Sequence, residues 1–230
     1  MRADLTHLTH KCRANAILIH DNMTSNAPSP GRFRLFIAIR IPEPVKVAIE
    51  NAQRTLRDTV SESAVRWTTR EQFHLTLRFL GNVEAHRTGF LAETLRSACS
   101  EFTPLTLRAK GVGFFPDASV PRVAWIGVRD DQEQLTRLQQ IVEVAARDYT
   151  TEPPKKNFAG HVTLCRFKNI KRRDAESLNR AAALMALQAF GEWTVEEIDL
   201  IRSELSPIGS KYTSLAAAKL GLEGPLQAGS

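Results

Sequence analysis

Two tetrapeptides carry the side chains best suited to chemistry: His74-Leu75-Thr76-Leu77 and His161-Val162-Thr163-Leu164. In a strand, residues i and i+2 share a face. His74 then projects beside Thr76 and His161 beside Thr163, while the intervening Leu and Val face apolar packing. An imidazole titrates at about 6.5, so of two facing rings one can be neutral and the other protonated near neutral pH. The neutral ring takes a proton from water and the cation gives one to a leaving oxygen. Threonine hydroxyls donate to nonbridging phosphate oxygens. A phosphodiester fits this set, and a strained cyclic one fits best. Metal-dependent phosphoryl transfer needs carboxylates on a divalent ion, and no Asp/Glu cluster sits near either motif.

The tripeptide His-x-Thr is not specific by itself. With 6 His and 18 Thr in 230 residues, chance gives about 0.5 occurrences, and the chain has four. His7-Leu8-Thr9 lies in an unpatterned stretch. His86-Arg87-Thr88 begins a predicted helix, where i and i+2 diverge. What distinguishes the other two is strand context and equivalent position in a repeat.

The elements around them recur. Phe33, Leu35, Ile37, Ile39 and Ile41 alternate with Arg34, Phe36, Ala38 and Arg40, a period-2 strand. Pro42 and Pro44 suit the first turn of a helix carrying Val45, Ile49, Ala52 and Leu56 on one face. A strand over 72–80 holds the first motif and is expected to end at Gly81-Asn82. A helix with Leu91, Leu95 and Ala98 follows, then a strand from Leu105 to Phe115. The order restarts with a strand from Arg122 to Val128 and a helix with Leu135, Leu138, Val142 and Ala145. The second motif strand is His161 to Phe167. A helix with Leu178, Ala182, Met185 and Ala189, one strand from Trp193 to Ile201, and a last strand from Tyr212 to Ala218 complete the series. Phe33 and Arg122 are 89 residues apart, His74 and His161 87, and Pro104 and Trp193 89. Two copies of a β-α-β-α-β unit would set equivalent residues across a central cleft.

Composition is that of an ordinary globular chain, 43% hydrophobic and 24% charged. The net charge of +6 favours an anionic partner. Cys12, Cys99 and Cys165 are odd in number and widely spaced. That argues against a disulfide framework or a structural zinc site, and for a reducing cytoplasm. No apolar run reaches the roughly 20 residues of a membrane span. Residues 1–31 lack periodicity and read as a disordered extension, with Met23 as an alternative start. Residues 32–220 read as one bilobal domain, with repeats at about 32–115 and 121–203, a closing strand at 211–219 and a tail at 221–230.

At these residues the chain resembles the 2H phosphoesterases, and within them the RNA 2′,3′-cyclic phosphodiesterases also called 2′-5′ RNA ligases. The likeness runs from Arg34-Leu35-Phe36-Ile37-Ala38-Ile39 through Phe73-His74-Leu75-Thr76-Leu77-Arg78-Phe79-Leu80-Gly81 and Pro121-Arg122-Val123-Ala124-Trp125-Ile126-Gly127-Val128. It continues in Phe158-Ala159-Gly160-His161-Val162-Thr163-Leu164-Cys165-Arg166, Leu205-Ser206-Pro207 and Tyr212. The resemblance implies an α+β fold of two pseudo-symmetric lobes, with antiparallel sheets lining a cleft and helices outside. It implies metal-independent hydrolysis of an RNA 2′,3′-cyclic phosphate to a 2′-phosphomonoester, with no cofactor. By carry-over His74 is the proton donor to the 3′ oxygen, His161 is the acceptor that activates water, and Thr76 and Thr163 hold the phosphate. Arg166 and Tyr212 are candidate substrate contacts.

Gly160 stands where the family often has Pro, which would loosen the approach to His161. By period 2, Cys165 shares the face of His161 unless a bulge intervenes. A redox-sensitive thiol there is weighed against a packed small hydrophobe. Lys155, Lys156, Lys168, Lys171, Arg172 and Arg173 flank the second motif and either hold RNA phosphates or are solvated loop charge. Phe114-Phe115-Pro116 and Tyr212 either stack on a base or pack in the core. The expected partners are RNA ends or cyclic nucleotides, with no membrane and no obligate protein partner, and the chain reads as a monomer. The alternatives are reversible 2′-5′ RNA ligation, a non-catalytic RNA-end-binding module and a histidine–zinc site.

Overall fold

A computed structural model describes residues 31–155, 157–168, 170–206 and 209–221. The expected disorder of the N-terminal extension (Gly31 apart), the role of Lys156, the match at Pro207 and the tail beyond residue 221 lie outside the described residues. The fold is α+β. Its strands are β1 (Arg32–Arg40), β2 (Val65–Trp67), β3 (His74–Glu84), β4 (Leu105–Phe115), β5 (Val123–Arg129), β6 (His161–Phe167), β7 (Ala189–Val195), β8 (Glu197–Ser206) and β9 (Gly209–Lys219). Its helices are α1 (Glu43–Arg57), α2 (Thr88–Cys99), α3 (Gln134–Ala146) and α4 (Arg172–Leu184).

The strands pair in the order β7-β4-β5-β6-β3-β1-β8-β9, with β2 also on β6, and every pairing is antiparallel. The sheet curls as a four-stranded half and a half of five strands counting β2, which meet at a single rung, Leu75 opposite Val162 in β3 and β6. These are the central positions of the two motifs, so the seam places the two histidine-bearing strands side by side. The halves are not the sequence repeats. β4 follows β3 in the chain but pairs with β5 and β7, and β8 crosses back to pair with β1. Each half thus borrows a strand from the other repeat, which binds the two together.

The core follows from the alternation. Leu35, Ile37 and Ile39 of β1, Leu75 and Leu77 of β3, and Val162 and Leu164 of β6 are buried in one cluster that crosses the seam. α1 presents Val45, Ile49, Ala52 and Leu56 to it, and α3 presents Leu135, Leu138 and Val142. On the opposite face of β1, Phe36 and Ala38 are also buried, in a second cluster with Ile201, Phe79 and Tyr212. That second cluster is the apolar floor of the cleft.

Three expectations need correction, and one strand has no counterpart in the sequence reading. The strand bearing His74 does not stop at Gly81-Asn82. Gly81 adopts φ +67° at a register shift opposite Leu35 and Phe36, a bulge of the kind glycine permits, and pairing resumes to Glu84. The last helix stops at Leu184, and Ala189 opens β7 instead. There the Gln188 carbonyl accepts from the Gly111 amide, and Ala189 pairs with Lys110. The span Trp193–Ile201 is two strands, because the chain changes partner at Glu196. Val195 pairs with Leu105 in one half and Glu197 with Lys219 in the other. The alternation changes phase there, since Val195 and Ile198, three residues apart, both face the core. β2 is a three-residue addition with no counterpart in the sequence reading.

Leu75 is fully buried at the one rung joining the halves. Leu75→Ala is expected to destabilise the protein by about 2–5 kcal/mol, read from urea unfolding. A transition that splits into two would show that the halves do not share one core.

Candidate active site

Both motif strands carry the same irregularity. On β3 the register with β1 shifts between Thr76 and Arg78, leaving Leu77 as the extra residue. On β6 the register with β5 shifts between Thr163 and Cys165, leaving Leu164 as the extra residue. Each bulge falls three residues after its histidine. Beyond it the alternation is offset, so Arg78 and Cys165 turn inward, and Phe79 and Arg166 take the cleft side. This overturns the expectation that Cys165 shares the face of His161. The thiol is fully buried, and burial pushes its pKa up to about 12, the behaviour of a packed small hydrophobe.

His74 and His161 begin their strands in the same way. The Nδ1–H of His74 donates to the Gln72 carbonyl at 2.6 Å, and that of His161 to the Ala159 carbonyl at 2.7 Å. A carbonyl only accepts, so Nδ1 bears the proton in both neutral rings and Nε2 is left with a free lone pair. Gln72 is itself fastened, its Nε2 donating to the Ser210 carbonyl at 2.6 Å and its Oε1 accepting from the Thr69 amide. Gly160 does not loosen the second site. Its carbonyl accepts from the Val128 amide at 2.8 Å, and a Cβ there would stand 2.6 Å from the Val128 oxygen. Glycine lets the two backbones close where proline would clash.

Aromatic rings hold each imidazole. His74 lies 4.8 Å from the Phe36 ring and edge-on to Tyr212 at 5.2 Å. His161 lies edge-on to Phe115 at 5.0 Å, with Trp125 at 6.4 Å. A cavity of about 270 Å³ opens beside His161 among Phe115, Trp125 and Phe158. Desolvation lowers both histidine pKa values, that of His161 to about 4, and the Arg166 charge lowers both further. Arg40 stands directly opposite His74 in the ladder, yet its guanidinium is drawn aside to the buried Asp199 carboxylate. Asp199 also accepts from the Ser214 hydroxyl at 2.6 Å.

Thr76 and Thr163 are half-buried, on the faces of their histidines. Neither hydroxyl has a hydrogen-bond partner among the described residues. The structure therefore brings together His74, Thr76, His161, Thr163, Arg166 and Tyr212. Lys155 lies over Phe158, and its charge reaches His161. Lys168, Lys171, Arg172 and Arg173 are exposed, and Arg172 is paired with Glu176. Sequence reasoning missed the roles of Phe36 and Trp125. The signal was present: each is a large ring at a position where the alternation otherwise turns away from the core.

A curled antiparallel sheet with two strand-borne His-x-Thr pairs at its seam defines a two-histidine phosphoesterase architecture. The chain belongs to the LigT-like phosphoesterase family, whose profile matches residues 39–125 and 126–212. It is 32% identical to the Aquifex aeolicus protein named RNA 2′,3′-cyclic phosphodiesterase, over 75% of this chain and 90% of that one. It is 31% identical to the Archaeoglobus fulgidus protein of the same name, over 79% and 97%. Among solved structures, TT0787 of Thermus thermophilus superposes with a TM-score of 0.68 at 29% identity, over 83% of this chain and all of that one. The fold is also that of E. coli LigT solved with 3′-AMP, at a TM-score of 0.63 and 22% identity, over 82% and 98%.

Cys165 is expected to stay unmodified by a thiol reagent in the folded protein and to react once guanidinium unfolds it. Labelling followed by peptide mass spectrometry measures this, and rapid labelling of the native protein would contradict the bulge.

Proposed function

We propose that this protein hydrolyses RNA 2′,3′-cyclic phosphate ends to 2′-phosphomonoesters, as the names of its relatives indicate for them. The observation that carries the reading is the matched pair of imidazoles. Each is locked through Nδ1 to the carbonyl two residues before it, and each keeps Nε2 for proton transfer. In the family-based assignment, His161 Nε2 takes a proton from water as its oxygen bonds to phosphorus. The bond from phosphorus to the 3′ oxygen breaks, and His74 Nε2–H gives that oxygen its proton. The ring protons have then exchanged places and the 2′ ester remains. Thr76 and Thr163 donate to the nonbridging oxygens, and Arg166 offsets charge developing on them.

Among the described residues no group of three or more His, Cys, Asp or Glu is gathered to hold a metal ion. No described helix is long and apolar enough to cross a membrane. We read residues 32–220 as one catalytic unit, acting as a monomer in a reducing cytoplasm, where the free buried Cys99 and Cys165 are at home.

Hydrolysis of an RNA oligonucleotide with a 2′,3′-cyclic end, in excess EDTA, tests the reading. A 2′-phosphate product is expected, with kcat reduced by about 10²–10⁴-fold in His74→Ala and in His161→Ala. Turnover indifferent to either change, or abolished by EDTA, would sink it. RNA bound without turnover would favour the binding-module alternative.

The pH profile follows from the depressed imidazoles. His161 acts while neutral, and its pKa of about 4 sets the acid limb of kcat/KM near there. His74 acts while protonated, and burial holds it below its ordinary value in the free protein, so the alkaline limb of kcat/KM falls below pH 6.5. A bound phosphodiester anion favours the imidazolium, so the alkaline limb of kcat is expected at higher pH than that of kcat/KM. Coincident limbs would contradict the assignment.

A further inference from the structure

Among the described residues, three guanidinium groups at the Tyr212 edge of the cleft have no carboxylate partner. Arg66 and Arg166 stand directly opposite each other across β2 and β6, and like charges so placed destabilise a strand pair. Arg34, on the cleft side of β1, lies 4.6 Å above the Phe79 ring, which packs with Phe36, Ala38, Ile201 and Tyr212. None of the three makes an ion pair or side-chain hydrogen bond among the described residues. Arg40, Arg70, Arg78 and Arg108, by contrast, each hold a carboxylate. The charges of Arg166, Arg66 and Arg34 all act on the Tyr212 hydroxyl, so they converge from three strands. Unpaired cations gathered beside a catalytic cleft are balanced by an anionic ligand.

The phosphorus chemistry says which anion, and here the inference rests on the proposed cyclic phosphodiesterase reading. In-line displacement sets the attacking water and the departing 3′ oxygen on opposite sides of phosphorus. With His161 at the water and His74 at the 3′ oxygen, the terminal ribose lies toward the His74 half. Arg34 stands on that half, and Arg66 and Arg166, on β2 and β6 of the other half, reach the same Tyr212 hydroxyl from across the seam. The next anion along the strand is the phosphodiester on the 5′ side of that ribose. We propose that Arg34 and Arg66 form a subsite for this penultimate phosphodiester, with Arg166 between it and the reacting phosphate. The protein then selects the ends of RNA strands over free mononucleoside 2′,3′-cyclic phosphates.

Three substrates test this: a mononucleoside 2′,3′-cyclic phosphate, a dinucleotide ending in the same group, and that dinucleotide with an uncharged methylphosphonate between its nucleosides. For the wild type, kcat/KM on the charged dinucleotide is expected to exceed that on the methylphosphonate by roughly 10- to 100-fold, the scale of charge-assisted hydrogen bonds. In R34Q/R66Q that advantage collapses, while turnover of the mononucleoside changes by less than about twofold, within ordinary surface effects. Relief of the like-charge pair is expected to leave the melting temperature of R66Q unchanged or raised. A wild type that treats the two dinucleotides alike, or a variant that loses as much on the mononucleoside, overturns the subsite. If the wild type turns over none of the three, it is the hydrolase reading that fails. The subsite is then read from binding of a dinucleotide 2′-monophosphate. Its log Kd against log salt is expected to flatten when either arginine is removed, and an unchanged slope overturns the proposal.

Discussion

Each imidazole gives its Nδ1 proton to the carbonyl two residues before it, and the site depends on that bond. It fixes which nitrogen faces the cleft and which is a base in the neutral ring. It also requires the backbone to enter the strand in one way. At the first motif Gln72 enforces that entry by tying its side chain to β9 and to Thr69. At the second, Gly160 enforces it by letting the chain close against Val128. Unlike residues solve the same problem on the two sides, and for this reason the pair can match in geometry while the flanking sequences diverge.

With the rings so anchored, the bulges decide what stands beside them. A regular strand would place Arg78 and Cys165 on the cleft face. The extra residue after each threonine sends both inward. The two turned-in side chains meet different environments. Cys165 is small and fills the core. Arg78 is buried with its charge, held by the Glu152 and Pro153 carbonyls at 2.7 Å and by Glu143 at 3.1 Å. A buried arginine is tolerable only when so satisfied, and the bonds fasten the segment that leads to the second motif. The side chains brought to the cleft in exchange, Phe79 and Arg166, supply an apolar floor and a cation.

Much of this was legible in the sequence. The period-2 runs marked β1, β3, β4, β5 and β6, the apolar stripes marked the helices, and spacing singled out two of four His-x-Thr segments. What escaped notice depends on partners rather than on pattern. A bulge changes register without changing which residue types occur. The passage from β7 to β8 changes partner across a single residue, Glu196. The exchange of β4 and β8 between halves is invisible to a repeat read along the chain. Arg66 looks like an ordinary exposed charge until β2 is seen to lay it against Arg166.

The electrostatics then follow from burial. Aromatic rings take water from the imidazoles, and desolvation disfavours their charged forms. Arg166 works in the same direction on both. The free cleft thus holds two neutral bases beneath unneutralised guanidinium groups, ready for negative charge and short of the one proton that catalysis needs. A phosphodiester corrects both at once. Its charge balances Arg166, and its nonbridging oxygens make an imidazolium favourable where the empty site does not. In the proposed assignment, protonation of His74 is in this way tied to occupancy, and the acid is armed mainly when there is an ester to cleave. Asp199 preserves that coupling. By drawing the Arg40 guanidinium away from its neighbour across the ladder, it spares His74 another close positive charge, one that a bound anion would have to overcome before the ring could take up its proton.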